Sequence, residues 1–185
     1  MTGQEIINKL VEGNNQFLTT NRAIGDVSLE KRIETSQGQQ PYAVVLTCAD
    51  SRTMPEAIFS VGLGELFVVR VAGNVVGLSE LASIEFAADK LGCKVLVVLG
   101  HTHCGAVTAA MEPAQGGYIE TILDEIRGAI KDEKDDEHAS CLNVINSINK
   151  IKSQFHPKNE LSVIGGVYHI ESGKVDFVTG LEALS

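Results

Sequence analysis

The sequence predicts an α/β fold: a mostly parallel β-sheet flanked by helices, with an antiparallel hairpin at one edge and a helical arm at the N-terminus. Three observations carry the prediction. Compact apolar, β-branched runs at 42–47 (YAVVLT), 66–71 (LFVVRV) and 95–99 (VLVVL) have the composition of strands buried on both faces. Helix-periodic segments separate these runs, the alternation that builds a parallel sheet. Two later apolar runs, 161–170 and 174–179, are joined by Glu171-Ser172-Gly173 and read as a hairpin.

The elements follow in order. Residues 1–40 form the predicted arm, opening on an amphipathic helix in which Ile6, Ile7, Leu10, Val11, Phe17 and Leu18 recur at helical spacing. Thr2 with Glu5 makes a capping box at its start. A second short helix follows Ser28. After the first strand, Pro55 suits the first turn of a helix over 56–59. After the second strand and the loop Ala72-Gly73-Asn74 comes a helix over 79–91, with Ser79 as its N-cap and Gly92 just past its end. Helices are expected at 105–111, 118–130 and 139–153, with the charge run 131–137 (KDEKDDE) as a solvated loop or helix end. No repeat or composition break divides the chain, so 1–185 is expected to be one domain.

The charge balance excludes one class of partner. Fifteen basic against 24 acidic residues give a formal charge of −9, and no basic face exists to neutralise phosphates, so nucleic acid is not expected. No run approaches the ~18 apolar residues of a membrane span, and the first residues lack the pattern of a signal peptide. A cytoplasmic, reducing location is therefore expected. There, the four cysteines (Cys48, Cys93, Cys104, Cys141) are free to act as ligands or nucleophiles rather than as staples.

Two of them have chemical company. Cys48-Ala49-Asp50-Ser51-Arg52 follows the first strand, and His101-Thr102-His103-Cys104 follows the third, so both clusters fall beyond the carboxyl ends of strands, where open α/β sheets bind ligands. Two thiolates and an imidazole suit Zn²⁺ by softness and leave a fourth tetrahedral position open. The competing reading makes Cys48 and Cys104 small buried hydrophobes. Cys93 and Cys141 have no ligand-spaced neighbour and read as structural, and His138, His156 and His169 have no context that singles them out.

The segments CADSR, LFVVRVAGN, SIEFA and GHTHCGAV, in this order and spacing, closely resemble the β-class carbonic anhydrases. The N-terminal EIINKLVEGNNQF and the terminal IGGVYHIESGKVDFV extend the resemblance over nearly the whole chain, with the weakest match at 111–159. The resemblance implies Cys48, His101 and Cys104 as ligands of one Zn²⁺ per subunit, and Asp50 and Arg52 as the catalytic pair. It implies reversible hydration of CO₂ by zinc-bound hydroxide, giving bicarbonate and a proton. Asp50 would accept the hydroxide's hydrogen bond, and Arg52 would keep Asp50 ionised and away from the metal. It further implies a small apolar substrate pocket lined by Phe67, Ala72 and Phe86, with Gln39 donating a hydrogen bond, Gly73 in a tight loop near the zinc, and the Gly105 amide near a ligand sulfur or the substrate. Phe67 and Phe86 fit plain core positions as well.

In some family members the aspartate swings onto zinc and closes the site. Val45 stands where regulated members often carry a bulky aromatic residue, and Gln39 matches the always-open type, so an open site is expected. His103 reads either as a proton shuttle or as a solvated surface residue. Self-association as a homodimer or homotetramer is implied, with the N-terminal helices on a neighbouring subunit or, alternatively, on their own core. Two other readings keep the zinc: hydrolysis of carbon disulfide or carbonyl sulfide on the same fold, and a non-catalytic zinc-binding module.

Overall fold

The computed structural model describes residues 1–22, 25–114 and 116–178. Its strands are β1 (Ala43–Thr47), β2 (Leu66–Arg70), β3 (Val95–His101), β4 (Ser162–Tyr168) and β5 (Val175–Val178). They form one sheet in the order β2-β1-β3-β4-β5. All neighbours pair in parallel except β4 with β5, which is the expected antiparallel edge. The 174–179 run thus gives β5, and Thr179 lies outside the described residues.

The helices are α1 (Gly3–Thr20), α2 (Leu29–Thr35), α3 (Pro55–Ile58), α4 (Leu78–Glu85), α5 (Gly105–Ala110), α6 (Glu120–Ile130) and α7 (Asp136–Gln154). Every residue of β1 and β3 is buried, because helices cover both faces of the sheet. Alternation sorts their side chains. Val45, Val97 and Leu99 join Ile6 and Leu10 of α1 on one face, while Val44, Leu46, Leu96 and Val98 join Ile84, Val144 and Ile148 on the other. Each such side chain contributes about 1.5–3 kcal/mol by leaving water. A third cluster, built from Val107, Leu123, Ile126 and Ile130, packs α5 and α6 around Cys48 and Cys104. That cluster caps the carboxyl end of the sheet.

Several boundaries differ from the sequence reading. β3 runs on through Gly100 to His101, because β4 continues beside it and pairs Val167 and Tyr168 with these two residues. His101 is therefore the last residue of the strand rather than a residue just past its end. Gly100 is required there: a Cβ would sit 2.6 Å from Val144 Cγ2 of α7. α4 starts one residue before the expected cap, with Gly77 at the N-cap and its amide donating to Glu80. Its continuation over Phe86–Lys90 is a π-turn that ends at Gly92 in the left-handed region. α6 begins at Glu120 rather than 118. α7 begins three residues before 139, because the Asp135 side chain accepts the His138 amide and caps it. Part of the charge run is thus a helix N-terminus, where acidic residues favour the dipole.

In the N-terminal arm, the capping box of Thr2 and Glu5 forms as read. α1 packs on the sheet of its own chain, with Ile6 and Leu10 buried there. Beyond it, Val27, Leu29 and Ile33 are left exposed around α2. Among the described residues, no helix is long and apolar enough to cross a membrane.

Candidate metal centre

Cys48 is the first residue after β1, and its segment is pinned from two sides. Thr53 Oγ1 donates to the carbonyls of Cys48 (3.1 Å) and Asp50 (2.9 Å). Arg70, at the end of β2, donates to the same two carbonyls at 3.2 and 2.6 Å. His101 ends β3, and Cys104 is the N-cap of α5. The parallel register of β1 and β3 thus delivers one ligand-bearing segment from each of two neighbouring strands.

The three side chains converge. One donor atom each from Cys48, His101 and Cys104 lies within 4.8 Å of the others, and all three residues are buried. The two sulfurs are 3.9 Å apart, close to the about 3.8 Å that 2.3 Å bonds to a tetrahedral zinc would set. His101 Nδ1 lies 2.8 Å from the Thr102 carbonyl, which can only accept, so Nδ1 carries the proton and Nε2 keeps its lone pair. Nε2 is buried without a hydrogen-bond partner. Two soft sulfurs and a buried imidazole nitrogen with nothing else to bind are a donor set that fits a zinc ion.

The electrostatics agree. The hydrogen bond from Cys104 draws the Cys48 thiol far below its ordinary value against the cost of burial, helped by His101 and by the amides of Asp50 and Gly73. The same bond, with burial, pushes Cys104 up. Burial pulls His101 down, but Cys48, the Thr102 carbonyl and Asp50 together raise it.

Backbone amides also address the sulfurs. Gly73 N lies 3.2 Å and Asp50 N 3.4 Å from Cys48 Sγ. Gly73 holds φ +67 in the turn Ala72–Asn74, and a Cβ there would meet Ile126 Cδ1 at 2.6 Å, so the position demands glycine. Gly105 follows Cys104 directly as the first residue of α5.

Asp50 stands next to this cluster, its Oδ2 3.9 Å from His101 Nε2. Arg52 grips it as a fork, Nε to Oδ1 at 3.0 Å and Nη2 to Oδ2 at 2.7 Å, with the Arg52 amide adding a third bond at 2.9 Å. These bonds hold the Asp50 carboxyl well below the usual carboxylate range despite its partial burial. Arg52 is itself anchored on the His103 carbonyl at 2.9 Å. The exposed His103 ring lies between Glu171 and Asp136.

The structure therefore brings together Cys48, Asp50, Arg52, Ala72, Gly73, His101, Cys104 and Gly105. It leaves three expected pocket residues apart. Gln39 precedes β1 whereas Cys48 follows it, and a five-residue strand puts about 16 Å between its ends. Gln39 instead lines a groove of about 460 Å³ with Lys31, Glu34, Gln37, Leu63 and Glu65. Phe67 pairs with Val44 near the start of β2 and packs against Phe86, ring centroids 6.1 Å apart. The apolar pocket read from the sequence is not completed by one chain's own cluster, because Gln39, Phe67 and Phe86 sit toward the other end of the sheet.

Sequence reasoning missed Arg70, Thr53 and three residues of α7. Ser140 Oγ donates to the His101 carbonyl (3.0 Å), Asn143 Nδ2 to that of Gly73 (2.7 Å) and Ser147 Oγ to that of Asn74 (3.0 Å). The available signal was periodicity: these polar residues fall at i, i+3 and i+7, on the face that 139–153 turns inward.

A family model described as carbonic anhydrase matches residues 43–175. Carbonic anhydrase 2 of Mycobacterium tuberculosis is 32% identical over 181 residues, covering 89% of this chain and 87% of that protein. Among solved structures, the β-carbonic anhydrase CafA of Aspergillus fumigatus superposes with a TM-score of 0.71 at 27% identity, covering 81% of each chain. A tetrameric β-carbonic anhydrase of Sordaria macrospora gives 0.72 at 23%, covering 80% and 86%. A carbon disulfide hydrolase shares the fold more distantly, with 0.59 at 16% identity over 84% and 92%.

Proposed function

The chain belongs to the β-class carbonic anhydrases and catalyses the reversible, zinc-dependent hydration of CO₂ to bicarbonate and a proton; from that premise we propose which of its residues do the work. Cys48, His101 and Cys104 hold one Zn²⁺ per subunit. The observation that carries this assignment is the convergence of their donor atoms within 4.8 Å, with His101 Nε2 having no other partner. When bound, zinc supplies a hydroxide nucleophile by lowering the pKa of a coordinated water toward about 7.

Asp50, with its Oδ2 3.9 Å from His101 Nε2, would accept a hydrogen bond from that nucleophile and so orient it toward CO₂. It can only do so ionised, and the Arg52 fork keeps it both ionised and correctly turned. The amides of Gly73 and Asp50 spread the charge on the Cys48 sulfur. Two thiolates and one neutral imidazole would cancel the +2 of a bound zinc, so a coordinated water would ionise at or above about pH 7 and the hydration rate would rise across neutral pH. Ala72, Gly73 and Gly105 border the space where CO₂ binds.

We also propose that 1–185 is a single cytoplasmic domain, and that the chain works as a homodimer or homotetramer. The tetrameric Sordaria structures support oligomerisation, as do the exposed Leu78, Phe86 and residues around α2. Gln39, Phe67 and Phe86 are remote from their own cluster and in this reading complete the pocket of a neighbouring copy. The four free thiols support the reducing location. Carbon disulfide hydrolysis and a purely structural zinc are not favoured: the distant hydrolase shares the fold alone, and a closed structural site has no use for the Asp50–Arg52 pair.

Metal analysis tests the ligand set. The purified protein is expected to carry one zinc per chain, and Cys48→Ser is expected to lose it while staying folded. Full zinc retention by folded Cys48→Ser would contradict the assignment.

A further inference from the structure

The buried face of α7 carries three polar side chains, Ser140, Asn143 and Ser147, each no more than 2% exposed. All three donate to main-chain carbonyls of segments that bear on the metal centre, those of His101, Gly73 and Asn74. Gly73 is the pivotal position. Its amide donates to Cys48 Sγ at 3.2 Å, and its carbonyl accepts from Asn143 at 2.7 Å. A glycine rotates more freely than any other residue, so an anchor on its carbonyl is needed to keep its amide aimed. The Asn143 Oδ1 is buried without a hydrogen-bond partner, which leaves the Gly73 bond as what orients the side chain.

We propose that Asn143 is a positioning residue for the metal centre: by fixing the Gly73 carbonyl it holds the Gly73 amide on Cys48 Sγ, with Ser147 steadying the next peptide through Asn74. The inference rests on Cys48 being a metal ligand, and it extends the centre to a helix outside the ligand motifs. A role limited to stability would predict weaker folding and an unchanged metal environment. A positioning role changes the sulfur itself, because a thiolate that loses an N–H donor becomes a stronger electron donor.

The test uses the full chain loaded with cobalt(II), whose thiolate-to-metal charge-transfer bands report the sulfurs, together with zinc competition against a chromophoric chelator. Asn143→Ala is compared with Ser147→Ala and with Ile151→Ala, a buried change on the same helix with no bond to the loop. Asn143→Ala is expected to move the charge-transfer band to longer wavelength and to weaken zinc binding by about 10- to 100-fold, the usual cost of losing support behind a ligand. Ser147→Ala is expected to shift the band the same way by less, and it carries the test if Asn143→Ala does not fold. Ile151→Ala is expected to keep the wild-type band. Bands in the α7 polar variants that coincide with wild type, or an equal shift in Ile151→Ala, would overturn the proposal. A wild-type protein with no thiolate–cobalt band would remove the ligand set itself, and the proposal with it.

Discussion

At the scale of residues, the proposed site depends on a few charged or soft atoms placed within 4.8 Å of one another. Asp50→Asn keeps the shape of the side chain but removes its negative charge and replaces one acceptor oxygen with a donor. It is expected to lower kcat/KM by about 100- to 10,000-fold while zinc content stays at one per chain. Stopped-flow rates beside metal analysis check both halves; an active Asp50→Asn would remove Asp50 from the mechanism. Cys48→Ser is expected to lose more activity than the about 10- to 100-fold typical of changes behind a ligand, because it removes a ligand itself. These residues were legible because their chemistry is local in sequence: Cys48, Asp50 and Arg52 fall within five residues, and His101 and Cys104 within four. Asn143 was not, since it acts on Gly73 from 70 residues away through a main-chain carbonyl that no side-chain pattern reveals.

At the scale of elements, α1 is held to the body of the fold by the buried Ile6 and Leu10 and by hydrogen bonds of the buried Asn14. Asn14 donates to the carbonyls of Ile58 and Gly173 and accepts the Val175 amide. Asn14→Ala strands these groups in the interior and is expected to cost about 2–4 kcal/mol in urea unfolding; a loss below about 1 kcal/mol would show that water replaces the side chain. A second tie joins α1 to the entrance of β2. Glu65 accepts from Lys9 at 2.9 Å and from the Gly62 amide at 2.6 Å. Burial pushes this carboxyl up, but the Gly62 amide and Lys9 outweigh it and leave it below its ordinary value. A carboxyl depressed on folding stabilises the protein above its unfolded pKa of about 4.3 and loses that contribution as pH falls through the folded value. Wild type should therefore exceed Glu65→Gln by about 1 kcal/mol at pH 7, a modest figure because both partners are partly solvated, and the gap should close below about pH 4. The strands and the capping box could be read from the sequence, since period and composition determine them locally. The extension of β3 to His101 and the π-turn after α4 depend on β4 and on packing, which no local pattern encodes.

At the scale of the whole molecule, the mostly parallel sheet puts the proposed ligands at one end and leaves Gln39, Phe67 and Phe86 toward the other. In the proposed reading, a pocket that needs both ends needs two chains. This reading makes an expectation that a single chain could not meet. Cys48→Ser lacks a metal ligand, and Gln39→Ala lacks the proposed donor to a neighbour's substrate. Mixed and reassembled, they form sites that take Cys48 from one chain and Gln39 from the other, so activity should rise above that of either variant alone. No recovery in verified hetero-oligomers would place Gln39 outside the site. The acidic excess of −9 fits a chain whose substrate is a small neutral gas, and it leaves the site's own charge to be balanced locally by Arg52.

The most direct test of the central claim is stopped-flow CO₂ hydration by the zinc-loaded protein, followed with a pH indicator at pH 7 and 8.5. The expected result is hydration well above the buffer rate at both values, faster at pH 8.5, abolished by zinc removal and restored by zinc. A folded protein with one zinc per chain that hydrates CO₂ no faster than buffer at either pH would contradict it.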